Sequence, residues 1–103
     1  MSTTLKLCSV RVAGLAYYGF ESIKNKQDMA GDICDFLEEP DNKHDKKAVE
    51  IFYGETKLGY VPKPYNEIIF SLLKQEDKCM VYGKIMSVNV DDQSIVITIY
   101  IEV

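Results

Sequence analysis

Three short segments combine side chains that could together recognise a nucleotide. The first, residues 14–19, carries two adjacent tyrosines, Tyr17 and Tyr18, between glycines. In strand or loop geometry at least one of these rings must be exposed, and an exposed ring beside flexible backbone can stack on a base. In the alternative interpretation, one tyrosine closes the end of the fold and the other has no role. Taken alone, this segment favours packing over base stacking.

The second segment, residues 39–49, is a polar loop dense in turn-forming side chains. Asn and Asp often hydrogen-bond the backbone of their own loop, so Asn42 and Asp45 could be purely structural. With His44 beside them, the carboxylate can instead accept a hydrogen bond from a sugar hydroxyl. Both roles stay open at this point.

The third segment, residues 57–63, lies where a predicted strand ends and a predicted helix begins, and it contains Tyr60 and Lys63. Lys63 is next to the helix N-terminus, where free amides and the positive end of the helix dipole favour a phosphate. The segment therefore predicts a cationic contact for an anionic ligand.

Alternating apolar residues predict six short strands, at residues 5–13, 32–38, 48–53, 57–61, 79–90 and 94–103. The last strand is the clearest, because isoleucine occupies every second position from Ile95 to Ile101. Gly83, inside the fifth strand, predicts a bulge or a sharp bend. Residues 17–31 are expected to form a loop.

One helix is predicted at residues 64–74, between the fourth and fifth strands. Pro64 suits a first helical position. An apolar stripe follows at helical spacing, formed by Tyr65, Ile68, Ile69, Leu72 and Leu73. Six strands with one helix predict an all-β fold, a small and strongly bent barrel, in a single domain over residues 1–103.

The charge balance limits the kind of nucleic-acid binding that the chain can perform. Its 103 residues include 12 Lys and Arg against 16 Asp and Glu, for a formal net charge of −4. Broad coating of a phosphate backbone relies on a basic surface, so that function is disfavoured. A pocket that reads one or two nucleotides is not excluded.

The cysteines are expected to be reduced, free of metal and unconnected with any cofactor. The sequence has three cysteines, an odd number, and they are far apart and lie in apolar stretches: Cys8, Cys34 and Cys79. Structural zinc sites prefer closely spaced ligand pairs, and this sequence has none. A zinc site formed by the three cysteines and His44 is conceivable, but buried reduced thiols explain the pattern better.

The sequence also predicts a protein that is not an enzyme. It contains no residues in the order of a Ser-His-Asp catalytic triad, no glycine-rich phosphate-binding loop and no residues at the spacing of metal ligands. The first four residues form a short polar stretch, and the basic and apolar regions of a signal peptide do not follow them. No run of residues approaches the ~20 apolar residues of a membrane span. We therefore expect a cytoplasmic protein without a membrane partner.

Taken in order, the three segments resemble the HIRAN domain family. The matching patterns are Gly-x-x-Tyr-Tyr from Gly14, Glu-Pro-x-Asn-x-x-Asp-x-x-Ala-Val from Glu39 and Leu-Gly-Tyr-x-Pro from Leu58. The resemblance runs over residues 10–73, and the last hairpin fits by architecture only. It implies an OB-like six-stranded β-barrel that binds single-stranded DNA, recognises a free 3′ end and serves DNA repair.

The resemblance also implies roles for individual residues. Tyr17, with Tyr18 beside it, would stack against a base near the terminus. Asp45 would accept a hydrogen bond from the 3′-hydroxyl, with Asn42 shaping or contacting the same pocket. Tyr60 and Lys63 would face the sugar-phosphate backbone. These residues are expected to form one pocket, together with His44.

Two departures from the family pattern bear on these roles. Ala16 stands where end-binding members have arginine, and His44 stands where they have tyrosine. Alanine in place of arginine removes a contact with a phosphate. Histidine in place of tyrosine keeps a planar ring but offers less area for stacking. Together with the negative charge, Ala16 favours an alternative, a protein-interaction module that uses the same pocket without DNA. Under either interpretation, a helicase or a nuclease is the kind of protein partner to expect.

Overall fold

The computed structural model of the chain describes residues 2–103. It contains six strands and one α-helix: β1 (Thr4–Arg11), β2 (Ile33–Glu38), β3 (Val49–Tyr53), β4 (Thr56–Tyr60), α1 (Lys63–Leu73), β5 (Met80–Asn89) and β6 (Ser94–Glu102). The predicted all-β class is confirmed, as is the position of the helix between the fourth and fifth strands. In the described residues, no helix has the length and apolar character needed to cross a membrane.

All strand pairs are antiparallel and belong to one sheet, in the order β1-β6-β5-β2-β3-β4. The two ends of this order meet at one point. Ala13, just after β1, and Tyr60, at the end of β4, exchange backbone hydrogen bonds of 2.8 and 2.9 Å. The sheet therefore curves round on itself into the predicted OB-like shape, although it is not a fully closed barrel.

The core lies inside this curved sheet. In β6 the side chains of Ile95, Ile97, Ile99 and Ile101 are buried, as the alternation predicts. The predicted loop of residues 17–31 contains short 3-10 turns, which place Phe20 and Met29 in the core.

The predicted apolar stripe of the helix was right for Ile69, which is buried, and for Leu72 and Leu73, which pack against the core, but wrong for Tyr65 and Ile68. Helix α1 buries Asn66, Ile69 and Phe70, while Tyr65 and Ile68 are 43% and 65% exposed. The buried residues have the same i, i+3, i+4 spacing as the predicted stripe, displaced by one position, which is about 100° around a helix. This orientation places the Phe70 ring in the core.

The predicted bulge at Gly83 was also wrong. The irregularity between β5 and β6 lies between Ile85 and Ser87, and Gly83 pairs regularly with Ile99. A Cβ at position 83 would lie 2.6 Å from the Sγ atom of Cys34 in β2. Glycine is therefore needed here because β2 packs closely over β5.

Candidate functional site

A surface pocket of about 380 Å³ lies where the two ends of the sheet meet. Six of the seven residues predicted to form a site line this pocket: Tyr18, Asn42, His44, Asp45, Tyr60 and Lys63. The seventh, Tyr17, does not line it. Ala13, Ala48 and Val61 provide an apolar wall. The structure therefore brings side chains from all three sequence segments together.

The two adjacent tyrosines differ in their surroundings. Tyr17 ends a short 3-10 turn and is 84% exposed, so its ring is free to stack on a ligand. Tyr18 is 39% exposed, and its ring contacts the ring of Tyr60 edge-on, with centroids 5.8 Å apart and planes at 69°. Tyr18 therefore belongs to the pocket wall, and Tyr17 is the exposed ring beside it.

Asn42 builds the loop that carries the acidic residue. Its Oδ1 accepts hydrogen bonds from the backbone amides of His44, at 2.8 Å, and Asp45, at 3.0 Å. Its Nδ2 donates to the carboxylate of Glu39. Both ends of this amide are engaged within the protein, so Asn42 shapes the pocket through the loop backbone.

The carboxylate of Asp45 is held in a fixed orientation. Its Oδ1 accepts from the backbone amide of Lys47 at 2.9 Å, and its Oδ2 accepts from the side-chain amide of Asn66 at 2.7 Å. Each carboxylate oxygen has a second lone pair, so Asp45 can still accept a hydrogen bond from a ligand.

The same contacts lower the pKa of Asp45 below its ordinary value of 3.8. The hydrogen bond from the Lys47 amide is the largest cause, followed by that from Asn66 and then by the positive charge of Lys63. All three stabilise the ionised form. Asp45 is therefore a charged acceptor at neutral and mildly acidic pH.

The cationic side of the pocket depends on Lys63 more than on helix amides. Helix α1 begins at Lys63, and the following Pro64 has no amide hydrogen. The amide of Tyr65 donates to the carbonyl of Pro62 at 2.9 Å. The expected set of free amides at the helix N-terminus is thus smaller than the sequence suggested, while the Lys63 side chain is exposed.

A charged network lies behind the tyrosine rings. The ammonium of Lys57 donates to the Tyr60 hydroxyl at 2.8 Å and forms an ion pair with Glu50 at 3.1 Å. The Tyr60 hydroxyl in turn donates to Glu39 at 2.9 Å, and the Asn42 amide approaches it at 3.4 Å. Since a phenol offers one donor and two acceptor positions, the Tyr60 hydroxyl is already fully used. Tyr60 can therefore meet a ligand only through its ring.

Three residues of this arrangement were not among the predicted site residues: Glu39, Lys57 and Asn66. Asn66 did leave a signal, since it is a polar residue in register with Ile69 and Phe70 on the buried helix face. Glu39 is the first residue of the second family pattern, but the resemblance gave it no role. Lys57 left no signal, because a charged residue in a short strand ordinarily faces solvent.

The cysteines lie away from this pocket and are free thiols. Cys34 is fully buried, and burial raises its pKa to about 12. Within residues 2–103, no group of three or more His, Cys, Asp or Glu side chains is placed to hold a metal ion.

Comparison with known proteins finds similarity over nearly the whole chain. The sequence model of the HIRAN domain family matches residues 5–103. No curated protein sequence shows significant similarity to the chain. A solved structure of a protein from Lactobacillus plantarum is similar, with a TM-score of 0.80 and 18% identity over 99% of this chain and 98% of that one. The HIRAN domain of human HLTF has a TM-score of 0.73 and 16% identity, over 96% of this chain and 78% of that one. Both share this fold.

Proposed function

Because the chain belongs to the HIRAN domain family, whose members are small domains that generally bind nucleic acid, we propose that it binds single-stranded DNA at a free 3′-hydroxyl end. One observation carries this proposal. The oriented carboxylate of Asp45 shares a single pocket with the Tyr18 and Tyr60 rings and with the ammonium of Lys63. A hydroxyl, a base and a phosphate are the three groups that such a set recognises.

Each part of a terminal nucleotide has a counterpart in this arrangement. Asp45 accepts a hydrogen bond from the 3′-hydroxyl, and Lys63 neutralises the phosphate that joins the last two nucleotides. The exposed ring of Tyr17 stacks on a base, next to the wall that Tyr18 and Tyr60 form. All these contacts are non-covalent, so the proposed role is binding and needs no catalytic residue.

The size of the pocket favours the end of a strand over its middle. A volume of about 380 Å³ lies at the small end of the range for ligand pockets, about 300–1,000 Å³. It suits one terminal nucleotide. The negative net charge disfavours DNA binding in general, but it weighs least against end recognition, which needs few phosphate contacts.

We predict that a strand with a free 3′-hydroxyl binds about tenfold more tightly than the same strand with a 3′-phosphate, since hydrogen bonds to charged groups contribute ~1.5–3 kcal/mol. The phosphate removes the donor and is repelled by the Asp45 carboxylate. Fluorescence anisotropy on matched oligonucleotides measures the difference, and adding or removing a 5′-phosphate is the control. Tyr17→Ala should weaken both ligands alike. Equal affinity for the two 3′ ends would remove the claim of end recognition.

A second candidate function, a protein-interaction module, is favoured by one specific observation. Ala16 is exposed beside Tyr17 and offers no charge to a phosphate, and the chain as a whole carries a net charge of −4. In that case the same pocket would bind a peptide segment of a partner such as a helicase or a nuclease.

The substitution Ala16→Arg separates the two candidates. If the pocket binds DNA, the new cation should tighten binding and steepen the log–log salt dependence by about 0.7, the value for one phosphate contact on a single strand. Ala30→Arg makes the same charge change at another exposed alanine, which lies in the segment between Met29 and β2 and not beside Tyr17, and is the control. Absence of binding by wild type and Ala16→Arg at low salt would favour the protein-interaction module.

A further inference from the structure

We propose that Lys57 is a positioning residue, whose ammonium fixes the two tyrosine rings of the pocket and, through Tyr60, the loop that carries Asp45. This rests on the proposed function, because a fixed aromatic wall is useful only to a ligand that packs against it. Lys57 lies in β4, behind the rings, and nothing in the family match assigns it a role.

The first argument is the placement of the ammonium between two rings. The Nζ atom of Lys57 lies 4.3 Å from the centroid of Tyr18 and 4.3 Å from that of Tyr60. The rings themselves are in edge contact. A cation over an aromatic face is attracted to it, so the ammonium holds the Tyr18 ring. It holds Tyr60 through the hydrogen bond to the hydroxyl. Rotation of either ring away from this arrangement would therefore lose its contact with Lys57 and with the other ring.

The second argument is that Lys57 is itself held in place. Its Nζ lies 3.1 Å from Glu50, and the two side chains are only 22% and 13% exposed. A further donor is directed to the Tyr60 hydroxyl at 2.8 Å. The ion pair compensates the charge locally, so this lysine is poorly placed to neutralise a phosphate. Lys63, which is exposed, differs from it in this respect.

The third argument is the route from Lys57 to the acidic loop. The Tyr60 hydroxyl that accepts from Lys57 donates to Glu39 at 2.9 Å. Glu39 also accepts from the amide of Asn42, whose oxygen holds the backbone amide of Asp45 at 3.0 Å. The carboxyl of Glu39 has a lowered pKa, first because of the hydrogen bond from Asn42. Each link is a hydrogen bond, so Lys57 is coupled to Asp45 without touching it.

The test has one arm that needs no ligand. In the free protein, ring protons of Tyr18 and Tyr60 should show nuclear Overhauser cross-peaks, since the centroids are 5.8 Å apart. Lys57→Met, which keeps the length of the side chain and removes the charge, should weaken these cross-peaks strongly. Lys57→Arg should retain them. Lys84→Met removes a charge from an exposed lysine of β5 and should change nothing.

A second variant guards against misfolding of the first. Glu50→Gln leaves the cation but removes its ionic anchor, and it should weaken the same cross-peaks to a smaller extent. Thermal unfolding of every variant shows whether the spectra are recorded on folded protein. Unchanged cross-peaks in folded Lys57→Met, or in Glu50→Gln if Lys57→Met does not fold, would overturn the positioning role whether or not the protein binds DNA.

The binding arm separates positioning from direct phosphate contact. Lys57→Met should weaken binding of a hydroxyl-ended strand about fivefold, because the cation–π contact with Tyr18 and the hydrogen bond to Tyr60 are lost, with an unchanged salt dependence. Lys63→Met, in contrast, should lower the log–log slope by about 0.7, the value for one phosphate contact. A comparable loss of slope in Lys57→Met would make it a phosphate ligand and overturn the proposal. Failure of the wild type to bind DNA would refute the proposed function alone, and the cross-peaks would still decide the role of Lys57.

Discussion

Replacing Asp45 with asparagine should weaken binding of a hydroxyl-ended single strand by about five- to tenfold, because a hydrogen bond to a charged group contributes ~1.5–3 kcal/mol and a neutral one ~0.5–1.5 kcal/mol. Asparagine keeps the volume and one oxygen acceptor for the amide of Lys47. The side chain of Asn66 can rotate its amide to face the new Nδ2 group, so the loop keeps both of its contacts. What the substitution removes is the negative charge.

The same variant should lose its discrimination between strand ends. Without the charge, a 3′-phosphate is no longer repelled, so the ratio of affinities for hydroxyl and phosphate ends should fall towards one. Asp41→Asn is the matched control, since it makes the same charge change at an exposed position of the same loop, outside the pocket. Anisotropy titrations of both variants with both ligands give the ratio. Equal losses for Asp41→Asn and Asp45→Asn would show that only overall charge matters.

The pH dependence follows from the lowered pKa of Asp45. A carboxyl group with a lowered pKa in the folded state contributes to stability above its ordinary pKa and loses that contribution as the pH falls through the lowered value. The ordinary value is 3.8. Since protonation would also remove the charged acceptor, the Asp45 contribution to binding of hydroxyl-ended strands should be constant from neutral pH down to about pH 5.

Replacing Gly59 with alanine should lower the free energy of unfolding by about 3 kcal/mol, the upper end of the usual cost of overpacking. The added Cβ would lie 2.2 Å from the carbonyl oxygen of Ala13 and 2.9 Å from Cγ1 of Val12. The backbone of Ala13 cannot retreat without breaking its paired hydrogen bonds with Tyr60. Because Ala13 and Tyr60 both line the pocket, ligand binding should suffer as well.

Urea and thermal unfolding followed by circular dichroism measure this effect. The melting temperature should fall by roughly 12–24 °C, at about 4–8 °C per kcal/mol for a domain of this size. Gly54→Ala is the control: Gly54 has a φ of 60°, and no atom lies within 4 Å of an added Cβ. It should cost only about 1–2 kcal/mol, from left-handed backbone strain. If Gly54→Ala were as costly as Gly59→Ala, contact with Ala13 would not be the cause.

The elements of the fold were predictable because their signals are local. The isoleucine alternation of β6 and the proline at the start of α1 depend on neighbours a few residues away. The orientation of the helix was not predictable in this way. Two sets of residues share the i, i+3, i+4 spacing: one is Tyr65, Ile68 and Ile69, and the other is Asn66, Ile69 and Phe70. Only packing against the sheet selects the second.

The candidate site shows the same division between local and distant causes. Asn42 and Asp45 are three residues apart, so their loop could be recognised from sequence. The position of Lys57 between Tyr18 and Tyr60 could not. It requires the chain after β1 to meet the end of β4, and that meeting depends on how far the whole sheet curves. Whether Tyr17 or Tyr18 lines the pocket was likewise decided by tertiary structure.

The position of β1 in the sheet has a consequence for how the molecule assembles. Thr4 pairs with Glu102 and Arg11 with Val96, so the first strand of the described residues takes the last one as its neighbour. Contacts between residues this far apart in sequence form slowly, because a long loop must be closed before they can contribute. On a ribosome, β1 must wait for β6 to emerge. The wall of the pocket at Ala13, which follows β1, is therefore among the last parts of the molecule to reach its final place.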